Sequence, residues 1–153
     1  MIHLSQYLPE IRTQRSGDIK QVWCFIRKKW LTLTPEEIVR QTIILHLLDL
    51  NYPSGWISIE RKIQKHVLNK RYDIVVMNRK GEPNILIECK GIGEPIQQTT
   101  LDQISSYNYT ISSPILWMTN GHENHIYHLS DTGKIKVLDK LPQHNRAAYL
   151  EEE

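Results

Sequence analysis

The chain has 153 residues, 40% of them hydrophobic, which allows one domain with a real core and excludes a core plus a motor module. Its 19 Lys and Arg against 17 Asp and Glu leave a net charge of +2, so any nucleic-acid contact must come from local patches rather than a globally basic surface. No apolar run approaches the roughly 18 residues of a membrane span, and "MIHLSQYLPEIRTQRS" lacks a signal-peptide core, so a soluble, cytoplasmic protein without a membrane partner is expected.

In chain order, "IKQVWCFIRKKWLTL" predicts two short strands meeting near Arg27 to Lys29, a hairpin extension within residues 1–33. "LTPEEIVRQTIILHLLDLNYPSG" predicts a helix from about Pro35 to Leu50. Thr34 is its N-cap, Pro35 its first residue, Glu36 and Glu37 lie in its first turn, and Pro53 and Gly55 follow its end. Strands follow in "WISIER", "YDIVVMN" and "NILIECK", the last two reversing at Lys80 and Gly81. A second helix spans about Thr100 to Thr110, with Leu101, Ile104, Asn108 and Ile111 at helical spacing. "PILWMTNG", "NHIYHLS" and "KIKVLD" add three strands. The core covers residues 34–139 of a single 1–153 domain, and 140–153 reads as a loose tail. Cys24 and Cys89, both in apolar runs, read as reduced core residues.

The stretch "NILIECKGIG" suits a buried strand yet ends in Glu88 and Lys90. If the preceding hairpin turns symmetrically about Lys80 and Gly81, cross-strand partners sum to 161 and Asp73 faces Glu88. Opposed like charges destabilise a sheet, so something positive belongs between them. Lys90 alternates onto the same face as Glu88. A divalent cation with hard oxygen ligands, Mg²⁺ or Mn²⁺, would balance the two carboxylates. Such an ion polarises a phosphate and activates water, with Lys90 placed to orient that water or offset the growing charge. An acid and a lysine two residues apart are alone also an ordinary strand-end ion pair; the facing Asp73 favours the catalytic reading.

Asp73 followed by "ECK" within an order α, β, β, β, α, β resembles the PD-(D/E)XK nuclease superfamily. "LTPEEIVRQ", "KRYDIVVMN", "ILIECKG", "TLDQISSYNY" and "MTNG", in this order, resemble the N-terminal nuclease domain of type I restriction enzyme R subunits. The resemblance implies an α/β, mixed-sheet, restriction-endonuclease-like core with extra C-terminal strands and an N-terminal hairpin. It implies a metal-dependent DNA endonuclease in which Asp73 and Glu88 bind metal, the Cys89 carbonyl is a further ligand, and Lys90 is catalytic. Gln103 and Tyr107 match a "QxxxY" motif, Gln103 lining the centre and Tyr107 contacting DNA. Gln103 also has capping-box spacing from Thr100, and both readings stand. Glu37 corresponds to a first-helix acid of the metal site, and it too has capping-box spacing, from Thr34. Arg40 and Gln41 could share the cleft, or Arg40 could pair with Glu36 and Glu37 on a solvated face.

Arg27, Lys28, Lys29, Arg61, Lys62, Lys65, Lys70 and Arg71 crowd the segments leading to this centre, where they could meet DNA phosphates or simply face solvent. The register puts Arg71 across from Lys90, so Lys70 and Arg71, with Tyr107 and Arg40, are the DNA-binding candidates. "GIGEPI" lacks the third glycine of a dinucleotide fingerprint. His122, His125 and His128 have no zinc-ligand pattern. No GxxxxGK[ST] motif is present, so neither ATP hydrolysis nor translocation is implied. Alternatives are a non-catalytic DNA-binding or assembly module of a restriction or defence complex, and a junction-resolving nuclease acting as a homodimer.

Overall fold

The computed structural model describes residues 4–59, 62–63 and 70–144. A mixed six-stranded sheet carries the fold, in the order β11-β10-β9-β8-β7-β4. Its strands are β4 (Ile57–Ile59), β7 (Ile74–Met77), β8 (Pro83–Cys89), β9 (Ile115–Thr119), β10 (Asn124–Leu129) and β11 (Ile135–Leu138). All neighbours are antiparallel except β8 and β9, which run parallel and are joined by helix α2 (Gln98–Ile111). Helix α1 (Pro35–Asp49) covers the opposite face.

Alternation on the strands divides the core in two. Ile74, Val76, Ile85, Ile87, Cys89 and Trp117 face Val39, Ile43, Ile44 and Leu47 of α1. Val75, Leu86, Leu116 and Met118 face Ile104 of α2, with Leu101 and Ile111 packed beside it. Cys24 and Cys89 are buried free thiols.

Helix α1 begins as its sequence dictates: the Glu37 N–H donates to the Thr34 hydroxyl over 3.0 Å, and Pro35 occupies the first turn. It ends where Asn51 takes φ +68° and the Tyr52 N–H reaches back to the Leu47 carbonyl, a left-handed cap that Asn tolerates. Helix α2 starts before Thr100, so Thr100 is not its cap, and Gln103 is released from a capping role.

The β7–β8 hairpin turns through Arg79, Lys80 and Gly81, with Gly81 at φ +75° and the Asn78 side chain accepting from Lys80 and Glu82. Met77 pairs with Pro83, whereas Val76 pairs with Ile85, so Asn84 is bulged. From there inward the pairs sum to 161, as expected, through Ile74 and Ile87.

Three features depart from the sequence reading. The N-terminal extension is a three-stranded meander rather than a hairpin: β1 (Thr13–Ser16), β2 (Ile19–Cys24) and β3 (Lys29–Thr32). Residues 4–10, a 3-10 helix, dock on α1 through Tyr7, whose hydroxyl meets His46 and Asp49. The expected loose tail is folded as far as it is described. Leu141 is buried, the Pro142 carbonyl accepts from the Tyr52 hydroxyl, and the His144 N–H donates to the Leu50 carbonyl. Residues 145–153 lie outside the described residues.

The third concerns Arg71. Its backbone does not continue β7 opposite Lys90; β6 (Lys70–Arg71) pairs with β5 (Lys62–Ile63) instead. The strand breaks at Tyr72 and Asp73, where the Asp73 carboxylate, not a backbone carbonyl, accepts the Cys89 N–H. The side chains of Lys70 and Arg71 lie outside the described residues.

Candidate active site

The site forms where β8 leaves the sheet and both helices reach its end. Asp73 Oδ2 accepts the Cys89 N–H over 2.7 Å, and Oδ1 accepts from Arg40 Nη2 over 2.9 Å. Glu88, on the α2 side, accepts from Gln103 Nε2 over 2.8 Å. The Lys90 ammonium lies 3.4 Å from Gln103 Oε1 and 3.7 Å from Glu88 Oε1. Gln103 therefore spans the acid and the base, using its amide as donor to one and acceptor from the other. The Lys90 N–H donates to the Thr119 carbonyl, which fixes this residue to β9.

The first turns of α1 supply the rest. Arg40, 2% exposed, donates to Glu36 Oε1 over 3.2 Å, to Glu37 and to Asp73. Expected on a solvated face or against DNA, it is instead buried among these three carboxylates at the end of the sheet. Gln41, wholly buried, links α1 to the segment after β2: its Oε1 accepts the Phe25 N–H and its Nε2 donates to Glu37.

Glu37 spends its N–H on the Thr34 cap and its carboxylate on Arg40 and Gln41. Glu36, which the sequence reading left aside, is a first-turn acid that feels the charges of both Asp73 and Lys90. Its signal was present in "TPEE", where either acid could have faced the sheet.

Burial first, and then the charge of Asp73, pushes the Glu88 carboxyl up to about 9 and the Glu36 carboxyl up to about 7. Burial also raises the Cys89 thiol well above its usual range, which keeps it neutral. Fully ionised, Glu36, Glu37, Asp73 and Glu88 carry four negative charges against two positive ones on Arg40 and Lys90. The deficit is one divalent cation's worth. Among the described residues, no group of three or more His, Cys, Asp or Glu side chains closes around a metal position. An ion that keeps several waters and takes one or two carboxylates needs no such cage.

Tyr107 lies one turn beyond Gln103 on α2, with its side chain outside the described residues. His125 is an exposed partner of Glu123. No helix among the described residues is long and apolar enough to cross a membrane.

A mixed sheet between two helices, with a central hairpin ending in two acids and a lysine, defines a restriction-endonuclease-like domain. The family described as the type I restriction enzyme R protein N terminus (HSDR_N) matches residues 35–142, and the chain belongs to it. Among solved structures, a fragment from Vibrio vulnificus YJ016 assigned as the HsdR subunit of a type I restriction enzyme is similar at 18% identity and TM-score 0.58, over 76% of this chain. This chain spans 25% of that one. A protein from Anabaena variabilis ATCC 29413 assigned as a nuclease of the DUF820 group is similar at 12% identity and TM-score 0.51, over 97% of this chain and 93% of its own. None of the curated proteins matches.

Proposed function

We propose that this chain is a Mg²⁺- or Mn²⁺-dependent DNA endonuclease domain of the restriction type, working with the further subunits or domains of a larger restriction complex. The observation that carries the reading is the joint hold of Gln103 on Glu88 and Lys90, beside an Asp73 oriented by the Cys89 amide. A strand-end ion pair has no need of either.

Asp73 and Glu88 would hold the cation, with the Cys89 carbonyl as a further ligand and a first-turn acid of α1, Glu36 or Glu37, joining through water. The bound ion supplies polarisation of the scissile phosphate and a lowered pKa for its water. Asp73 cannot rotate freely, because one oxygen is fixed to β8, so its ligand geometry is set before substrate arrives. Lys90, 3.7 Å from Glu88 Oε1, is placed to orient the attacking water or offset charge on the phosphorane. Gln103 limits the motion of both. Lys70, Arg71 and Tyr107 remain the candidates for DNA contact, whereas the burial of Arg40 assigns it to the acids.

The test is titration of Mg²⁺ and Mn²⁺ into the protein with supercoiled DNA, alongside Lys90→Ala. Metal-dependent nicking lost in a folded variant is expected. A folded, fully active Lys90→Ala protein would overturn the assignment. One observation favours a second reading, a non-catalytic module that keeps the nuclease fold: Arg40 and Gln103 already satisfy the acids without metal. Metal-independent DNA binding with no cleavage product would support that reading instead.

A further inference from the structure

We propose that Arg40 is the resident counter-cation of this site and that it competes with the divalent metal for Asp73. The inference rests on the metal-dependent reading above and deepens it, naming the residue that limits how tightly the ion is held. A guanidinium is always charged, so its positive charge cannot be removed by titration. Here it is buried in the middle of three carboxylates, 2.9 Å from Asp73 Oδ1 and 3.2 Å from Glu36 Oε1, and in contact with Glu37.

The two oxygens of Asp73 have different neighbours. Oδ2 is fixed to the Cys89 N–H, a backbone group that cannot move without disturbing β8. Oδ1 is the oxygen not tied to the backbone, and Arg40 is on it, so an ion taking Asp73 meets the guanidinium. A dication ligated there would stand beside the guanidinium in a poorly screened site, where like charges repel strongly. Arg40 need not leave the core to yield. Glu37 stays its partner, and Glu36, whose side chain is 44% exposed, offers a second anchor toward solvent. The guanidinium thus lets the acid cluster fold without metal, and it weakens metal binding by the same contact.

Isothermal titration of Mn²⁺ and Mg²⁺ into the wild type, Arg40→Gln and Arg40→Lys tests this, with thermal melts of each. Arg40→Gln should melt lower without metal, rise further when metal is added, and bind Mn²⁺ at least about tenfold more tightly than the wild type. Arg40→Lys, which keeps the charge, should stay within about threefold of the wild-type affinity. If Arg40→Gln does not fold, the wild type still decides the matter: Mg²⁺ saturation should shift the Arg40 guanidinium NMR signals, identified by their absence in Arg40→Lys. Unmoved signals at saturation would overturn the competition. So would weaker or unchanged metal binding in folded Arg40→Gln, and that result would leave the metal-dependent reading standing. Absence of metal binding in both the wild type and Arg40→Gln would overturn both.

Discussion

The Cys89 N–H donates to the Asp73 carboxylate over 2.7 Å, a side-chain bond at the point where a β7–β8 ladder bond would otherwise continue. Asp73→Ala removes that acceptor and one partner of buried Arg40, and should cost about 2–4 kcal/mol in urea unfolding. Asp73→Asn keeps an oxygen for the amide and should cost less. Equal losses in the two variants would mean that the bond to Cys89 contributes nothing.

Glu88 and Glu36 titrate higher in the fold than in the unfolded chain, where an acid sits near 4.3. The folded state therefore holds the more protons between those values, and stability must fall as pH rises. The metal-free protein should lose melting temperature from about pH 5 to pH 9, the span from the unfolded value to Glu88's own. Glu88→Gln should flatten that slope and melt higher than the wild type at pH 8. An unchanged slope in Glu88→Gln would assign the pH dependence to other groups.

Gln103→Ala cuts the link between Glu88 and Lys90 while leaving Ile104 and the α2 core in place. The expected stability cost is about 1 kcal/mol. Metal-dependent cleavage should fall at least about tenfold, because the Lys90 ammonium is then left with only its longer 3.7 Å contact to Glu88. A Gln103→Ala protein with undiminished cleavage would reduce this residue to packing.

Gly91 tests how closely α1 must approach the end of β8. A Cβ there would lie 3.1 Å from the Pro35 Cβ, so Gly91→Ala must push Pro35 back by a few tenths of an ångström at the turn that carries both first-turn acids. Its destabilisation should be about 1 kcal/mol, with Mn²⁺ affinity lowered measurably by calorimetry. Gly55→Ala, where a Cβ meets nothing within 4 Å, is the control and should change neither quantity.

Much of this was legible in the sequence because local chemistry and tertiary structure agree. Thr34, Pro35 and the 3.6-residue pattern define α1, and alternation in "NILIECK" puts Glu88 on the side opposite Ile87 and Cys89. The register of 161 holds across the three inner pairs. What escaped depends on partners distant in the chain. Strand β1, "TQRS", is exposed throughout and has no apolar alternation; it is a strand only because β2 pairs with it. Arg40 sits at a position that a charged residue usually leaves to solvent, and it is internal because Asp73, 33 residues on, joins Glu36 and Glu37 around it. Residues 141–144 are a short stretch held by the buried Leu141, the Tyr52 hydroxyl and the Leu50 carbonyl, partners that a local pattern does not reveal.

The bulge at Asn84 has a consequence for the acids some four residues away. The turn at Lys80 begins the hairpin in a register that sums to 160, as Met77 with Pro83 shows. Carried unchanged down the strands, that register would set Asp73 against Ile87 and Glu88 against Tyr72, on opposite faces of the sheet. One extra residue in β8 changes the parity and brings the two carboxyls to the same side. A strand that paired Asn84 instead of bulging it would part the two acids, whereas deleting Asn84 would leave Val76 against Ile85 and the acidic pair in place.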